Sequence, residues 1–185
     1  MKKRRTFLMV FAALLLIISC IARIIYINCL YPPAKSIIYS LNEAISYNNI
    51  ELTVTSADIL ADDVMLNLFK DEVQRHGDAL GIVAEITLHN KSMFEQETNL
   101  SGFIFESGGW KNAINLLAFM ELNSDNPIAS LHPILEPGES INLKLPVLAV
   151  PVNTRKSQWE NFSQRKFYLT VALYPEKKMI AILND

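Results

Sequence analysis

The sequence predicts a mainly β domain, an antiparallel sandwich with one or two short helices, behind an N-terminal transmembrane helix. Three observations carry this. A basic cluster, Lys2-Lys3-Arg4-Arg5, precedes an unbroken apolar run from Phe7 to Ile18. Some eight short segments then alternate apolar and polar residues between Asn, Gly and Pro turn signals. Long amphipathic helices and a strand–helix–strand rhythm are lacking, which argues against a parallel, doubly wound sheet.

The apolar run continues past Ser19 and Cys20, meets Arg23 and resumes as Ile24-Ile25-Tyr26-Ile27. As a helix, Phe7 to Ile27 covers about 32 Å at 1.5 Å per residue, enough to cross a hydrocarbon core. Arg23 then lies near the membrane interface, where its side chain can reach the headgroups, and Tyr26 and Tyr31 suit the interfacial aromatic belt. The basic cluster stays inside, so a single-pass protein of the cytoplasmic membrane with an extracellular C-terminal domain is expected. An uncleaved signal anchor is the first reading. Ile17-Ile18-Ser19-Cys20 also matches a lipobox and makes Cys20 a candidate lipidation site, although apolar residues follow it. A cleaved signal peptide is the third reading, with no A-x-A-like site standing out. Residues 1–31 are assigned to the basic tail and anchor, 32–36 to a spacer, and 37–185 to the extracytoplasmic domain.

Cys20 and Cys29 are the only cysteines, so the exported part has no disulfide and depends on its own core. Beyond residue 31 lie all 19 acidic residues and twelve basic ones, the chain's 17 less the five before that point, for a formal charge of −7. That balance argues against nucleic acid and against docking onto anionic lipid.

Along the chain, Pro32-Pro33 predicts a stiff extended spacer. Ser36–Tyr39 is a first strand. Asn48-Asn49 marks a hairpin turn, since Asn tolerates positive φ. In the strand that follows, Ile50, Leu52 and Val54 share one face, and the change of parity at Ala57 predicts a bulge near Ser56. Asp62 to Gly77 reads as a helix or helical loop, capped by Asp62 or Asp63 and ended by Gly77. Gly81 to Asn90 is the clearest strand, with Ile82, Ala84, Ile86 and Leu88 on one side. Leu100 to Phe105 is another, stopped by Gly108-Gly109. Trp110 to Leu122 fits either a helix or a buried strand. Glu136-Pro137-Gly138-Glu139 is a type II turn, with Pro137 and Gly138 in the positions that turn demands. It launches the strand Ser140–Leu145. Ser157-Gln158-Trp159-Glu160 matches a capping box and predicts a short helix whose Trp159 and Phe162 pack on the sheet. Lys166 to Tyr174 alternates again, and Met179 to Leu183 forms a last edge strand.

The chain now resembles a known group. The basic anchor, Tyr31-Pro32, Leu41-Asn42-Glu43, Tyr47 through Thr55, Leu135 through Glu139, and Tyr174-Pro175-Glu176-Lys177-Lys178 are similar to uncharacterised exported proteins of Gram-positive bacteria. These are membrane- or lipid-anchored domains of unknown function. The resemblance implies a telokin-like, immunoglobulin-like sandwich and an envelope location, and it transfers no catalytic residue.

Chemistry-bearing motifs are sparse. His76, His89 and His132 share no metal-ligand spacing, no G-x-S-x-G elbow exists, and Gly108-Gly109 is no phosphate loop. The acidic residues Asp58, Asp62, Asp63, Asp71 and Glu72 lack the pattern of a calcium loop and read as a solvated helix start. No metal or cofactor is expected. Trp159, Phe103, Phe105 and Phe119 are expected to fill the core. Trp110, beside two glycines, is instead the candidate binding surface.

The function expected is that of a non-enzymatic, membrane-tethered binding or interaction module. Its partners would be membrane lipid through the N-terminal helix and another envelope protein, a peptide or a cell-wall component. The alternative is a structural accessory subunit of a membrane complex, with Ala12, Ala13, Ser19 and Ala22 as a small-residue helix face. An envelope hydrolase with an assembled site is the third reading.

Overall fold

Good helix formers with no proline or glycine before Pro32 produce helix α1 (Lys2–Leu30) in the computed structural model, which describes residues 2–31 and 35–184. Within it, Met9–Leu30 is long and apolar enough to cross a membrane. Of the spacer expected over 32–36, residues 32–34 lie outside the described residues, and Ser36 is corrected to the first residue of the sandwich domain, where it already forms a strand. The chain divides into two compact units, Met1–Lys35 and Ser36–Asp185.

The second unit is mainly β, and its elements follow the sequence closely. Strand β1 (Ser36–Tyr39) comes first. Strands β2 (Ala44–Tyr47) and β3 (Ile50–Ile59) form a hairpin, with Asn48 at φ 48° and Asn49 at φ 65°. The register of β3 slips between Val54 and Ser56, the bulge that the parity change requires.

Residues 62–77 form two short helices, α2 (Asp62–Leu68) and α3 (Lys70–His76), which meet at Phe69. Phe69 is buried, and its φ of −127° departs from helical geometry, although Phe69 N–H still bonds to Met65 C=O and Val73 N–H to Phe69 C=O, both at 2.9 Å. The expected Asp cap is corrected to Ala61, with Asp62 and Asp63 in the first turn, where the helix dipole favours them. Gly77 ends the pair at φ 77°.

After strand β4 (Leu80–His89) comes a two-residue strand, β5 (Gln96–Glu97). The strand expected from Leu100 starts later, as β6 (Ile104–Ser107). The Asn99 side chain accepts hydrogen bonds from both the N–H and the hydroxyl of Ser101, and Phe103 N–H closes onto Leu100 C=O at 3.0 Å, so this stretch is a turn. Both alternatives for residues 110–122 are realised in succession: strand β7 (Trp110–Ala113), then helix α4 (Leu116–Leu122), capped by Asn115 Oδ1 accepting from Ala118 N–H at 3.0 Å.

Strand β8 (Ile134–Leu135) precedes the turn at Pro137-Gly138, and strand β9 (Ser140–Ala149) runs longer than expected. Helix α5 (Lys156–Trp159) starts one residue before Ser157, behind Arg155 and without a side-chain cap, so the capping box does not form. The chain closes with β10 (Phe167–Ala172) and β11 (Lys177–Leu183).

One sheet has the order β1-β11-β10-β6-β7 and the other β2-β3-β4-β9, with β5 paired to β8 apart. All pairs are antiparallel except β1 with β11. That parallel pairing puts β11 inside its sheet and makes β1 the edge, which corrects the expectation for 179–183.

The two sheets enclose one core. Leu52, Val54, Ile82, Ile86, Leu88, Leu143 and Leu145 come from one side, and Phe105, Phe167, Leu169 and Ile180 from the other. Each such aliphatic side chain contributes roughly 1.5–3 kcal/mol by leaving water. A smaller cluster of Met65, Phe69, Val73, Ala118 and Leu148 seats the helices on the outer side of the four-stranded sheet.

Candidate binding surfaces

The outward row of the four-stranded sheet is polar, because its side chains alternate with those of the core. Thr87 faces Asn142 across the β4–β9 pair, and Glu85 faces Lys144. Helices α2 and α3 cover only the apolar end of this surface. The remainder forms a cleft of about 520 Å³, walled by Leu122 at the end of α4 and by Asn123, Asp125, Asn126 and Pro127 after it, and floored by Thr55, Glu85, Thr87, Asn142 and Lys144.

Its groups are largely satisfied by one another. Thr87 Oγ1 donates to Asn142 Oδ1 at 2.7 Å, Ser56 Oγ to Glu85 Oε2 at 3.3 Å, and Lys144 Nζ lies 3.8 Å from Glu85. Asn123 clamps the rim through the main chain of Lys144. The floor can offer hydrogen bonds and one ion pair, but it contains neither cysteine nor histidine.

A second surface is apolar. On α4, Ala118 and Phe119 face inward, while Leu116, Leu117 and Met120 project into solvent; Val64 and Leu66 on the neighbouring α2 are exposed as well. A seven-residue helix cannot bury all of an unbroken apolar run. Exposed apolar side chains grouped on one helix are a candidate recognition surface.

Elsewhere, Glu106 on β6 is buried on the outer side of the five-stranded sheet. It accepts hydrogen bonds from Lys177 and Thr170, with Lys111 Nζ at 3.4 Å. Burial pushes its carboxyl up, but the Lys177 and Thr170 hydrogen bonds and the two lysine charges outweigh that and hold it below the ordinary value. Burial also raises the Tyr47 phenol, whose hydroxyl donates to Asn99 C=O at 2.8 Å.

The residues singled out in the sequence fall as follows. Cys20, Arg23 and Tyr26 are exposed on α1, and Tyr31 follows it. Pro137 and Gly138 make the turn, with Gly138 at φ 80° and Glu139 N–H bonded to Glu136 C=O at 3.0 Å. Trp110 is corrected: it is 6% exposed, with its ring edge-on to Phe162 at 5.4 Å and to Phe167 at 6.2 Å. The two glycines form a hairpin turn that places Trp110 opposite Ser107, on the core side of the sheet. Trp159 is only half-buried; it stacks on Phe162 and donates its indole N–H to Asp78. His89 Nδ1 lies 2.7 Å from Ser140 Oγ on the sheet surface, and His132 is 3.7 Å from Glu97. Among the described residues no group of three or more His, Cys, Asp or Glu is placed to hold a metal.

The apolar surface on α4 was not foreseen, because the run Leu116–Met120 read equally as a buried strand. Its only signal was too many large apolar residues for one short helix to bury.

The model of a family described as a domain of unknown function (DUF5028) matches residues 36–178. Solved structures of similar shape include a conserved hypothetical protein from Bacillus anthracis, 14% identical over 76% of this chain and 94% of that one, with a TM-score of 0.49. The yjhA protein from Bacillus subtilis is 11% identical over 78% and 98%, with a TM-score of 0.45. An uncharacterized beta-sandwich protein from Clostridium difficile 630 is 11% identical over 80% and 95%, with a TM-score of 0.47. No curated protein matches this chain.

Proposed function

The chain belongs to the DUF5028 family, a family of unknown function, and from that premise we propose that it is a non-enzymatic interaction module of the bacterial envelope. Helix α1 tethers it to the cytoplasmic membrane with Lys2 to Arg5 inside, and the sandwich binds an envelope protein outside. The observation that carries the reading is the outward apolar face of α4, Leu116, Leu117 and Met120, beside exposed Val64 and Leu66 on α2. An exposed apolar surface fits a protein partner better than a glycan, which would use the polar cleft.

The test is cross-linking in native membranes followed by identification of the captured proteins. The wild-type chain is expected to capture a defined partner that a Leu117→Asp/Met120→Asp variant loses while remaining folded. Equal capture by both forms would move the binding site elsewhere.

A further inference from the structure

We propose that the end of the sandwich where the chain enters is a lipid-contacting surface, with Met93 and Phe94 on one loop and Leu173 and Tyr174 on another inserting shallowly into the bilayer interface. The proposal rests on the reading of α1 as a spanning helix.

The strand register brings these tips to one end. Ser36, the first residue of β1, pairs with Lys177, directly after the turn that carries Leu173 and Tyr174. That turn shares a surface depression with Tyr47 and Asn48 of the β2–β3 hairpin. The hairpin in turn meets the end of β4, where Glu51 pairs with His89, and β4 runs straight into the loop that carries Met93 and Phe94.

The exposure of these side chains is imposed by the fold. Met93 is 87% exposed, Phe94 75% and Tyr174 80%. The loop is fastened from inside by the buried Asn90, whose Nδ2 donates to Phe94 C=O and to Leu135 C=O at 2.8 Å. Asn90 Oδ1 accepts from Ser92 N–H at 2.9 Å and from Ser92 Oγ at 2.8 Å, and Lys91 pairs with Glu51. A loop held so firmly cannot fold its phenyl ring back into the core.

Two facts select lipid as the occupant. Only residues 31–35 separate α1 from Ser36, a chain that reaches no farther than roughly 20 Å at full extension. The projecting types are Met, Phe, Leu and Tyr, which gain by leaving water, and Tyr is at home at the headgroup level. Charge does not drive the contact: Lys35, Lys91, Lys177 and Lys178 at or beside these tips are matched by Glu51, Glu95, Glu136, Glu139 and Glu176. The attachment is therefore apolar and indifferent to anionic lipid.

The experiment reads immersion depth in the full chain, reconstituted in phosphatidylcholine bilayers. Cys20→Ser/Cys29→Ser removes both native thiols, and a nitroxide is attached at Phe94→Cys, at Tyr174→Cys or, as an aqueous reference on α4, at Leu117→Cys. A fourth sample keeps Cys20 as its only labelled thiol. Labels at 94 and 174 are expected to show several-fold higher oxygen-over-nickel accessibility than the label at 117, unchanged when phosphatidylglycerol is added. Met93→Ser/Phe94→Ser, which alters no buried side chain, is expected to return the 174 label toward the aqueous value. Labels at 94 and 174 as aqueous as that at 117, with Cys20 reading the bilayer, overturn the proposal and leave the spanning helix standing. Immersion only with the anionic lipid overturns the apolar mechanism. An aqueous Cys20 overturns the spanning-helix reading and the proposal with it.

Discussion

The side-chain amide of Asn123 pairs with both main-chain groups of Lys144: Oδ1 accepts from its N–H at 2.9 Å, and Nδ2 donates to its C=O at 2.9 Å. A further bond from Nδ2 to Phe119 C=O, at 2.8 Å, ties the amide to α4. Asn123 thus does for the edge strand β9 what a neighbouring strand would do. Farther along that edge, Asn115 N–H bonds to Pro146 C=O and Asn112 Nδ2 to Leu148 C=O, both at 2.9 Å. Three asparagines cover an edge that would otherwise offer itself to another chain.

Replacing Asn123 by Ala removes these bonds and leaves the part-buried N–H and C=O of Lys144 without their partner, while Phe119 C=O keeps the bond from the residue-123 N–H at 3.2 Å. Asn123→Ala is expected to lower stability by about 1–3 kcal/mol, the cost of orphaned buried polar groups. Asn123→Asp keeps the acceptor but turns a donor toward two carbonyls into a second oxygen, so it should be no better. Urea unfolding followed by circular dichroism measures both; an unshifted midpoint would mean that water replaces the amide without cost.

Glu106 makes stability depend on pH. Its carboxyl lies below the ordinary glutamate value in the folded chain and returns to it on unfolding. The stability it contributes is therefore fully present above the unfolded value and is lost as pH falls through the folded one. Wild-type protein should be more stable than Glu106→Gln at about pH 7, and the gap should narrow steadily below about pH 4.5. Urea midpoints of the two proteins across that range test this; a gap independent of pH would rule out a charged Glu106 as its source.

Both tryptophans pack against the core, Trp110 more deeply than Trp159. Trp110 sits among Phe162 and Phe167, so Trp110→Ala should cost about 3–5 kcal/mol, the usual loss for a large buried aromatic. Its indole N–H has no acceptor among the described residues, so Trp110→Phe should cost far less. Trp159 is half-buried, and Trp159→Ala should cost about 1–2 kcal/mol, between a surface and a core change. Equal losses at the two positions would contradict this ranking.

Gly138 holds φ 80° with nothing within 4 Å of a built Cβ, so a side chain there meets backbone strain and no clash. Gly138→Val is expected to cost about 1–3 kcal/mol and Gly138→Asn clearly less, because Asn tolerates positive φ. Thermal unfolding of the pair separates strain from packing; identical losses would point to a different cause.

What could be read in the sequence was local. The Asn48-Asn49 hairpin, the bulge at Ser56, the Pro137-Gly138 turn and the inward rows of β3, β4 and β9 each follow from one residue's φ preference or from a period of two. The apolar length of α1 is likewise a property of the run itself. Tertiary structure alone decided the parallel pairing of β1 with β11, the break at Phe69, the burial of Trp110 and the exposure of Leu117 and Phe94. The pairing and the burial depend on partners distant in sequence: β1 closes onto a strand some 140 residues later, and Trp110 meets Phe162 and Phe167 only once the sheets have packed. Hydrophobicity ranks Leu117 and Phe94 as core residues. They stay outside because one core has a fixed volume, and their helix and loop are anchored by Phe119 and Asn90 on the opposite side.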